Sequence, residues 1–222
     1  MLENLKPLLD LCEKGNNLGE KISLVGATKT VDVDTINLAV EGGLEIVAEN
    51  RVQEFREKHD KIIGAKQHFI GHLQTNKVKY LVGEVEIIQS VDSVHLAQEI
   101  SKVATRKNVE QKIFIELNAG GELSKSGFSF DNVYSQTLEI AKLDGVKVVG
   151  LMAMLPKSDD REFLADLCKK VRAEFDKLKN AGLPLVHLSV GMSADYLIAI
   201  ENGSNMIRLG SLIFGKRNYE VK

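Results

Sequence analysis

The chain has 222 residues, 44% apolar and 27% charged, and its 29 basic and 31 acidic side chains leave a net charge of −2. That length can bury a sizeable core as one domain, and the even charge balance leaves no basic face for nucleic acid. No apolar run approaches the ~20 residues of a membrane-spanning helix, and the opening MLENLKPLLDLCEKG lacks the basic start and small-residue cleavage site of a signal peptide.

In chain order, that opening stretch reads as an amphipathic helix, and KISLVGA (21–27) reads as a first strand. VDTINLAVEGG (33–43) follows as a helix closed by glycine, and LEIVAE (44–49) as a second strand. Helical spacing resumes over 51–63, KQHFI (66–70) is a third strand, and a short helix is expected over 76–81. VEIIQS (85–90) is a fourth strand, and the helix of 94–108 carries apolar residues at three- and four-residue spacing. QKIFIELN (111–118), VKVVGLMAM (146–154), PLVHLSV (184–190) and NMIRLG (205–210) complete the strands. Helices over 131–142, 160–180 and 193–203 separate these four.

Eight strand candidates alternate with seven helical segments, and no low-complexity linker interrupts them. Strict alternation implies parallel strands joined by right-handed helical crossovers. Eight such units in this length predict a single α/β domain over 1–222, a (β/α)8 TIM barrel with an extra N-terminal helix. A doubly wound open sheet is the structural alternative. Its first βα turn would be VGATKT, which lacks the G-x-G-x-x-G of a dinucleotide fold, and no P-loop occurs anywhere.

A barrel places function at the C-terminal ends of its strands, with phosphate often bound after strands seven and eight. Strand seven ends in SVGMSADY, where Gly191 lets the backbone approach a ligand and Ser193 is expected to open the next helix. Strand eight ends in IRLGS, offering Arg208, Gly210 and the hydroxyl of Ser211. Read singly, these are an ordinary cap and a glycine turn; their recurrence on consecutive strand ends suits a phosphate. Closure of the barrel sets strand one beside strand eight, so Thr28 and Lys29 reach the same mouth.

Most lysines are solvated surface amines, but Lys29 directly follows an apolar strand. An amine near a phosphate site, in a partly apolar pocket, is what a Schiff base with pyridoxal 5′-phosphate (PLP) requires. Arg208 facing the pyridine nitrogen could not give up its proton, so the ring would be a poorer electron sink than one paired with aspartate. The plainer reading of Arg208 is a salt bridge to a structural carboxylate.

Several tracts together resemble the pyridoxal phosphate homeostasis protein family, which is similar to the N-terminal barrel domain of alanine racemase. They are LVGATKTVDVDTI, AENRVQE (48–54), HFIGHLQTNKVK (68–79), IELNAGGELSKSGF (115–128), GLMAM (150–154) and the C-terminal 187–219, six in order over nearly the whole chain. The resemblance implies that Lys29 carries the cofactor and that Asn50 lies beside the ring. Ser193, Gly210 and Ser211 would hold the phosphate, with Arg208 near the pyridine nitrogen. Ala48 stands where the family usually has glycine, and Thr30-Val31 where many members have a basic residue and proline.

Other residues carry blander expectations. His68 and His72 flank a strand-like stretch with no obvious third ligand, so no metal is expected. His187 reads as a strand-face histidine, and Lys125, in the SKSG loop, as a surface lysine or a transient second acceptor of the cofactor. The functional expectation is a cytoplasmic, monomeric PLP-binding protein, not an enzyme, that buffers the cofactor or hands it to PLP-dependent enzymes. Cys12 and Cys168, without metal-type spacing, fit free thiols in that reducing compartment. The competing readings are an amino-acid racemase with Lys29 as one base and a barrel binding another phosphorylated metabolite. A racemase needs a second base from a further domain, and the chain ends shortly after strand eight.

Overall fold

The structure, a computed structural model, describes residues 1–122 and 126–215. Eight parallel strands close into a barrel in chain order. They are β1 (Ser23–Ala27), β2 (Ile46–Glu49), β3 (Lys66–Phe69), β4 (Ile87–Val91), β5 (Gln111–Leu117), β6 (Val146–Ala153), β7 (His187–Val190) and β8 (Met206–Leu209). The closing pair sets Val25 of β1 opposite Arg208 of β8. Around the strands lie α1 (Leu2–Lys14), α2 (Val33–Glu41), α3 (Val52–Lys58), α4 (Val94–Lys107), α5 (Val133–Ile140), α6 (Arg161–Asn180), α7 (Tyr196–Glu201) and α8 (Ser211–Phe214). This is the expected (β/α)8 barrel with its additional N-terminal helix.

Alternation along each strand splits the apolar side chains between two cores. Outward residues such as Ile88, Ile113, Leu151 and Leu188 pack beneath Ile100, Leu164, Val171 and Phe175 of the helices. Each such side chain, withdrawn from water, contributes roughly 1.5–3 kcal/mol. Inward residues Val25, Ile46, Ile87, Phe114 and Met206 fill the barrel itself. Helix α1 lies over the seam where the barrel closes, with Leu5, Leu8 and Cys12 in one cluster with Leu24, Leu209 and Ile213. It takes the place in the outer ring that the four-residue α8 is too short to fill. Burial pushes the Cys12 thiol up to about 11 and the Cys168 thiol up to about 12, so both are inert packing groups.

Caps set the helix starts at the mouth. Asp32, Ser93 and Asp160 each accept a hydrogen bond from the backbone N–H three residues on. Two expectations need correction. The helix expected over 76–81 is a 3-10 turn, Thr75–Tyr80. Ser193 does not open a helix: α7 begins at Tyr196 with Asp195 at its cap, and the Asp195 carboxylate accepts from the Met192 N–H. A helical turn, α8, follows β8 directly, in a segment past the last expected strand. No helix among the described residues is long and apolar enough to cross a membrane.

Candidate functional site

The end of β1 is held from below and beside. Buried Thr28 donates its hydroxyl to Ala48 O at 3.1 Å and to Glu49 Oε1 at 2.8 Å, joining β1 to β2. Lys58 reaches up from α3 to donate to Glu49 Oε1 (2.8 Å), Glu54 Oε2 (2.9 Å) and Thr28 O (3.1 Å). The other side of the turn is fixed by the Thr30 N–H, which donates to Glu54 Oε2 at 2.8 Å. Thr30 has φ +65°, a left-handed conformation that a β-branched residue adopts only under constraint. Lys29 is therefore gripped through both neighbours, while its own ammonium makes no ion pair with any described residue. Burial alone would raise the Glu54 carboxyl, but the Thr30 N–H and the Lys58 ammonium hold it below its usual value.

Asn50 is brought to the same mouth by a close backbone crossing. A Cβ on Gly71 would stand 1.9 Å from Asn50 O, so only glycine allows the β3 end to pass there. Across the mouth, Gly191 has φ +107°, and a Cβ on it would meet Ala199 and Tyr196 at 2.9 Å. That tight turn carries Ser193 to Ser211, hydroxyl to hydroxyl at 3.2 Å. The first turn of α8, from Gly210 and Ser211, adds backbone N–H groups without intrahelical acceptors.

Arg208 rises between these walls, 5% exposed. Its Nη1 donates to Ser189 O (2.7 Å) and Ser189 Oγ (2.6 Å), and its Nη2 to Ala153 O (3.0 Å). No described carboxylate pairs with it, so the salt-bridge reading does not describe its surroundings. Burial pushes its guanidinium down to about 10, against the pull of Glu116 and Asp195. The group keeps its proton at neutrality, and two of its five N–H donors have no partner among the described residues.

Lys29, Asn50, Ser193, Arg208, Gly210 and Ser211 all line one cavity of about 710 Å³. Ala27, Ile70, Met152, Met154 and Met192 supply its apolar walls. The volume suits a small organic ligand. One end offers paired hydroxyls for an anion, the floor a cationic donor with spare N–H groups, and the adjoining β1 wall an unpaired primary amine. A flat heteroaromatic phosphate carrying an aldehyde matches that set, so the residues fit PLP.

The remaining expected residues lie elsewhere. His68 points into the barrel, and burial pushes its imidazole down to about 3. His72 sits at the rim, 3.2 Å from Asp92. Among the described residues no cluster of three or more His, Cys, Asp or Glu could hold a metal ion. His187 lies against the ring of Phe114 at the foot of β7. Lys125 lies outside the described residues. Sequence reasoning missed Ser189, which bonds to Arg208, and Gln89, Glu49 and Lys58, which stand one bond further back behind Ser189 and Thr28; only Glu54–Lys58, an i,i+4 pair on α3, carried a local signal. It also missed Glu116 of β5, 4% exposed, whose carboxyl is pushed up to about 7 by burial and then by Asp92, against Arg208 and His72.

Residues 23–218 match the family described as alanine racemase, N-terminal domain. A pyridoxal phosphate homeostasis protein from Aquifex aeolicus is 41% identical over 99% of this chain and 96% of its own length. The chain belongs to the pyridoxal phosphate homeostasis protein family. PipY of Synechococcus elongatus, solved with PLP bound, is 26% identical and superposes with a TM-score of 0.83 over 96% of this chain and 100% of its own. Alanine racemase of Clostridium difficile shares the barrel at a TM-score of 0.80 and 19% identity, over 99% of this chain and 56% of its own. That last likeness is one of fold alone.

Proposed function

We propose that this chain, as one barrel domain over 1–222, holds PLP through a Schiff base to Lys29. In this reading it serves intracellular PLP homeostasis as a cytoplasmic, monomeric carrier that buffers the cofactor or passes it to PLP-dependent enzymes. The observation that carries the reading is the meeting of an unpaired amine, two hydroxyls 3.2 Å apart and a buried guanidinium with free donors around one cavity. Family membership and the PLP-bound PipY relative support it.

When bound, PLP supplies an electrophilic aldehyde carbon, with which an amine condenses reversibly. Lys29 offers that amine from a turn that the Thr28 and Thr30 contacts keep in place. Ser193, Ser211 and the Gly210–Ser211 backbone receive the phosphate oxygens. Arg208 donates to the ring nitrogen and keeps its own proton there, which disfavours build-up of negative charge on the ring. Ile70, Met152 and the neighbouring methionines shield the amine from water, and Asn50 borders the ring. A racemase would need a second acid or base facing the ligand, and no tyrosine or histidine among the described residues lines the cavity.

The deciding experiment is the absorption spectrum of purified protein incubated with PLP, wild type against Lys29→Ala, before and after borohydride. The expected result is a visible band that reduction fixes onto Lys29 and that the variant lacks. Absence of any such band in wild type would overturn the reading and leave a barrel for another phosphorylated metabolite. Turnover of L-alanine to D-alanine by the loaded protein, lost in Lys29→Ala, would instead establish the racemase.

A further inference from the structure

Beneath the cavity floor, four side chains from four strands form one continuous hydrogen-bonded line across the barrel. Arg208 of β8 donates to Ser189 Oγ of β7 at 2.6 Å, and Ser189 Oγ donates to Gln89 Oε1 of β4 at 2.8 Å. Gln89 Nε2 then meets His68 Nδ1 of β3 at 2.9 Å. Ser189 and Gln89 are fully buried, and His68 is 2% exposed.

The chemistry of the groups permits one direction along this line. A guanidinium only donates, so Ser189 Oγ accepts from it and must place its own proton elsewhere; Gln89 is the acceptor in reach. That choice turns the amide nitrogen of Gln89 toward His68, whose Nδ1 must accept, leaving the ring proton on Nε2. The other amide hydrogen faces Met206 Sδ at 3.5 Å, a weak acceptor. With Gln89 flipped, the Ser189 hydroxyl proton would be buried without an acceptor, which a fully buried group does not tolerate cheaply. The strongly lowered basicity of His68 agrees, since a neutral ring is the one form that can end the line.

We infer that Ser189, Gln89 and His68 are positioning residues for Arg208: the line takes one Nη1 donor of the guanidinium, beside the two taken by the Ser189 and Ala153 carbonyls, and leaves its two unpartnered N–H groups for the cavity. Resting on the PLP reading above, the line then sets the hydrogen bond to the ring nitrogen without any of its members touching the ligand. Being neutral beyond Arg208, it leaves the full cationic charge directed upward. An ion pair in its place would have cancelled that charge.

The test uses the full-length protein in two arms. The first needs no ligand: 15N spectra of histidine-labelled protein, with His68 assigned through His68→Gln, report the ring tautomer. Wild type is expected to show the Nε2–H form alone, and Ser189→Ala a mixture of tautomers. The second arm records PLP affinity and the position of the borohydride-sensitive band for Gln89→Leu, Ser189→Ala and Gln89→Glu, with circular dichroism to establish folding. Gln89→Leu and Ser189→Ala are expected to shift the band and weaken PLP binding about tenfold, the scale of one misdirected hydrogen bond. Gln89→Glu, which still accepts from Ser189 but puts a negative charge into the line, is expected to keep Arg208 in place and still weaken PLP binding, because the charge left for the ligand is cancelled. A single unchanged tautomer in Ser189→Ala, together with band and affinity equal to wild type, overturns the inference and leaves Arg208 held by backbone carbonyls. A wild-type protein with the fixed tautomer but no band would uphold the line while sinking the PLP reading. If Gln89→Leu does not fold, the smaller Ser189→Ala carries both arms.

Discussion

The two sides of the cavity are built on opposite electrostatic plans. On the β1–β2 side, the turn bearing Lys29 is held by charged groups: Lys58 bridges Glu49 and Glu54, with side chains only 12%, 4% and 17% exposed. On the β7–β8 side, Arg208 is held by a hydroxyl and two carbonyls, with an amide and an imidazole in line behind the hydroxyl, and none of these is a carboxylate. The first plan fixes a backbone, whose carbonyl and N–H oppose ammonium and carboxylate. The second fixes a cation whose charge is left for the ligand. A site for an anion needs both: scaffold charges that bind one another below the amine, and a functional charge that no ion pair in the scaffold takes up.

The charged side should break hardest. Lys58→Met removes the common partner of one buried and one half-buried carboxylate, and Glu49 Oε2 already lacks a hydrogen bond. Leaving such groups uncompensated costs about 3–5 kcal/mol, read as a fall in urea midpoint at constant slope. A loss under 1 kcal/mol would mean that the cluster relaxes into water and does not hold the Lys29 turn.

The neutral side should break with acid instead. His68 is held down to about 3 from an ordinary 6.5, so its contribution is fully present above pH 6.5 and is lost as pH falls toward 3. Between pH 7 and pH 4 wild type should lose roughly 3 kcal/mol through this group. His68→Gln keeps an acceptor for Gln89 and cannot take up a proton, so its acid unfolding midpoint should lie below that of wild type. Coincident acid curves would show that His68 does not titrate on unfolding.

How much of this was legible in the sequence follows the same division. The strands showed as β-branched runs because the barrel buries both their faces, and Lys29, Ser193 and Arg208 showed because function gathers at strand ends, whereas Asn50 came only from the family resemblance. The boundaries failed where side chains took over backbone roles, as when the Asp195 carboxylate moved the start of α7 past Ser193. The supporting groups were invisible for another reason. Ser189 and Gln89 are 100 residues apart and meet only through the register of a closed barrel. Gln89 alone reads as a polar residue ending an apolar strand.

Glu116 gives a third, smaller test, because its buried carboxyl on β5 feels the charges of Asp92, Arg208 and His72. Raised to about 7 from 4.5, it stabilises the fold below pH 4.5, and that contribution is lost as pH rises through 7. Glu116→Gln removes the cost of charging a buried group. Relative to wild type, it should therefore be about 2 kcal/mol more stable at pH 8 than at pH 5. A stability difference independent of pH would show that Arg208 already pairs with Glu116, and the contrast between the two sides would weaken.

The smallest effect should come from Thr30, and it separates stability from positioning. A left-handed threonine costs roughly 1–2 kcal/mol, which Thr30→Gly relieves, while glycine gives back about 0.5–1 kcal/mol in added freedom of the unfolded chain. The two nearly cancel, so the melting temperature should move by no more than about 3 °C. The Glu54 contact is made by the backbone N–H and survives the change. Lys29 loses only the stiffness of its neighbour, so the expected readout is faster borohydride-independent exchange of PLP at nearly unchanged stability. Unchanged exchange would assign the placing of Lys29 to Thr28 and its hydroxyl bonds alone.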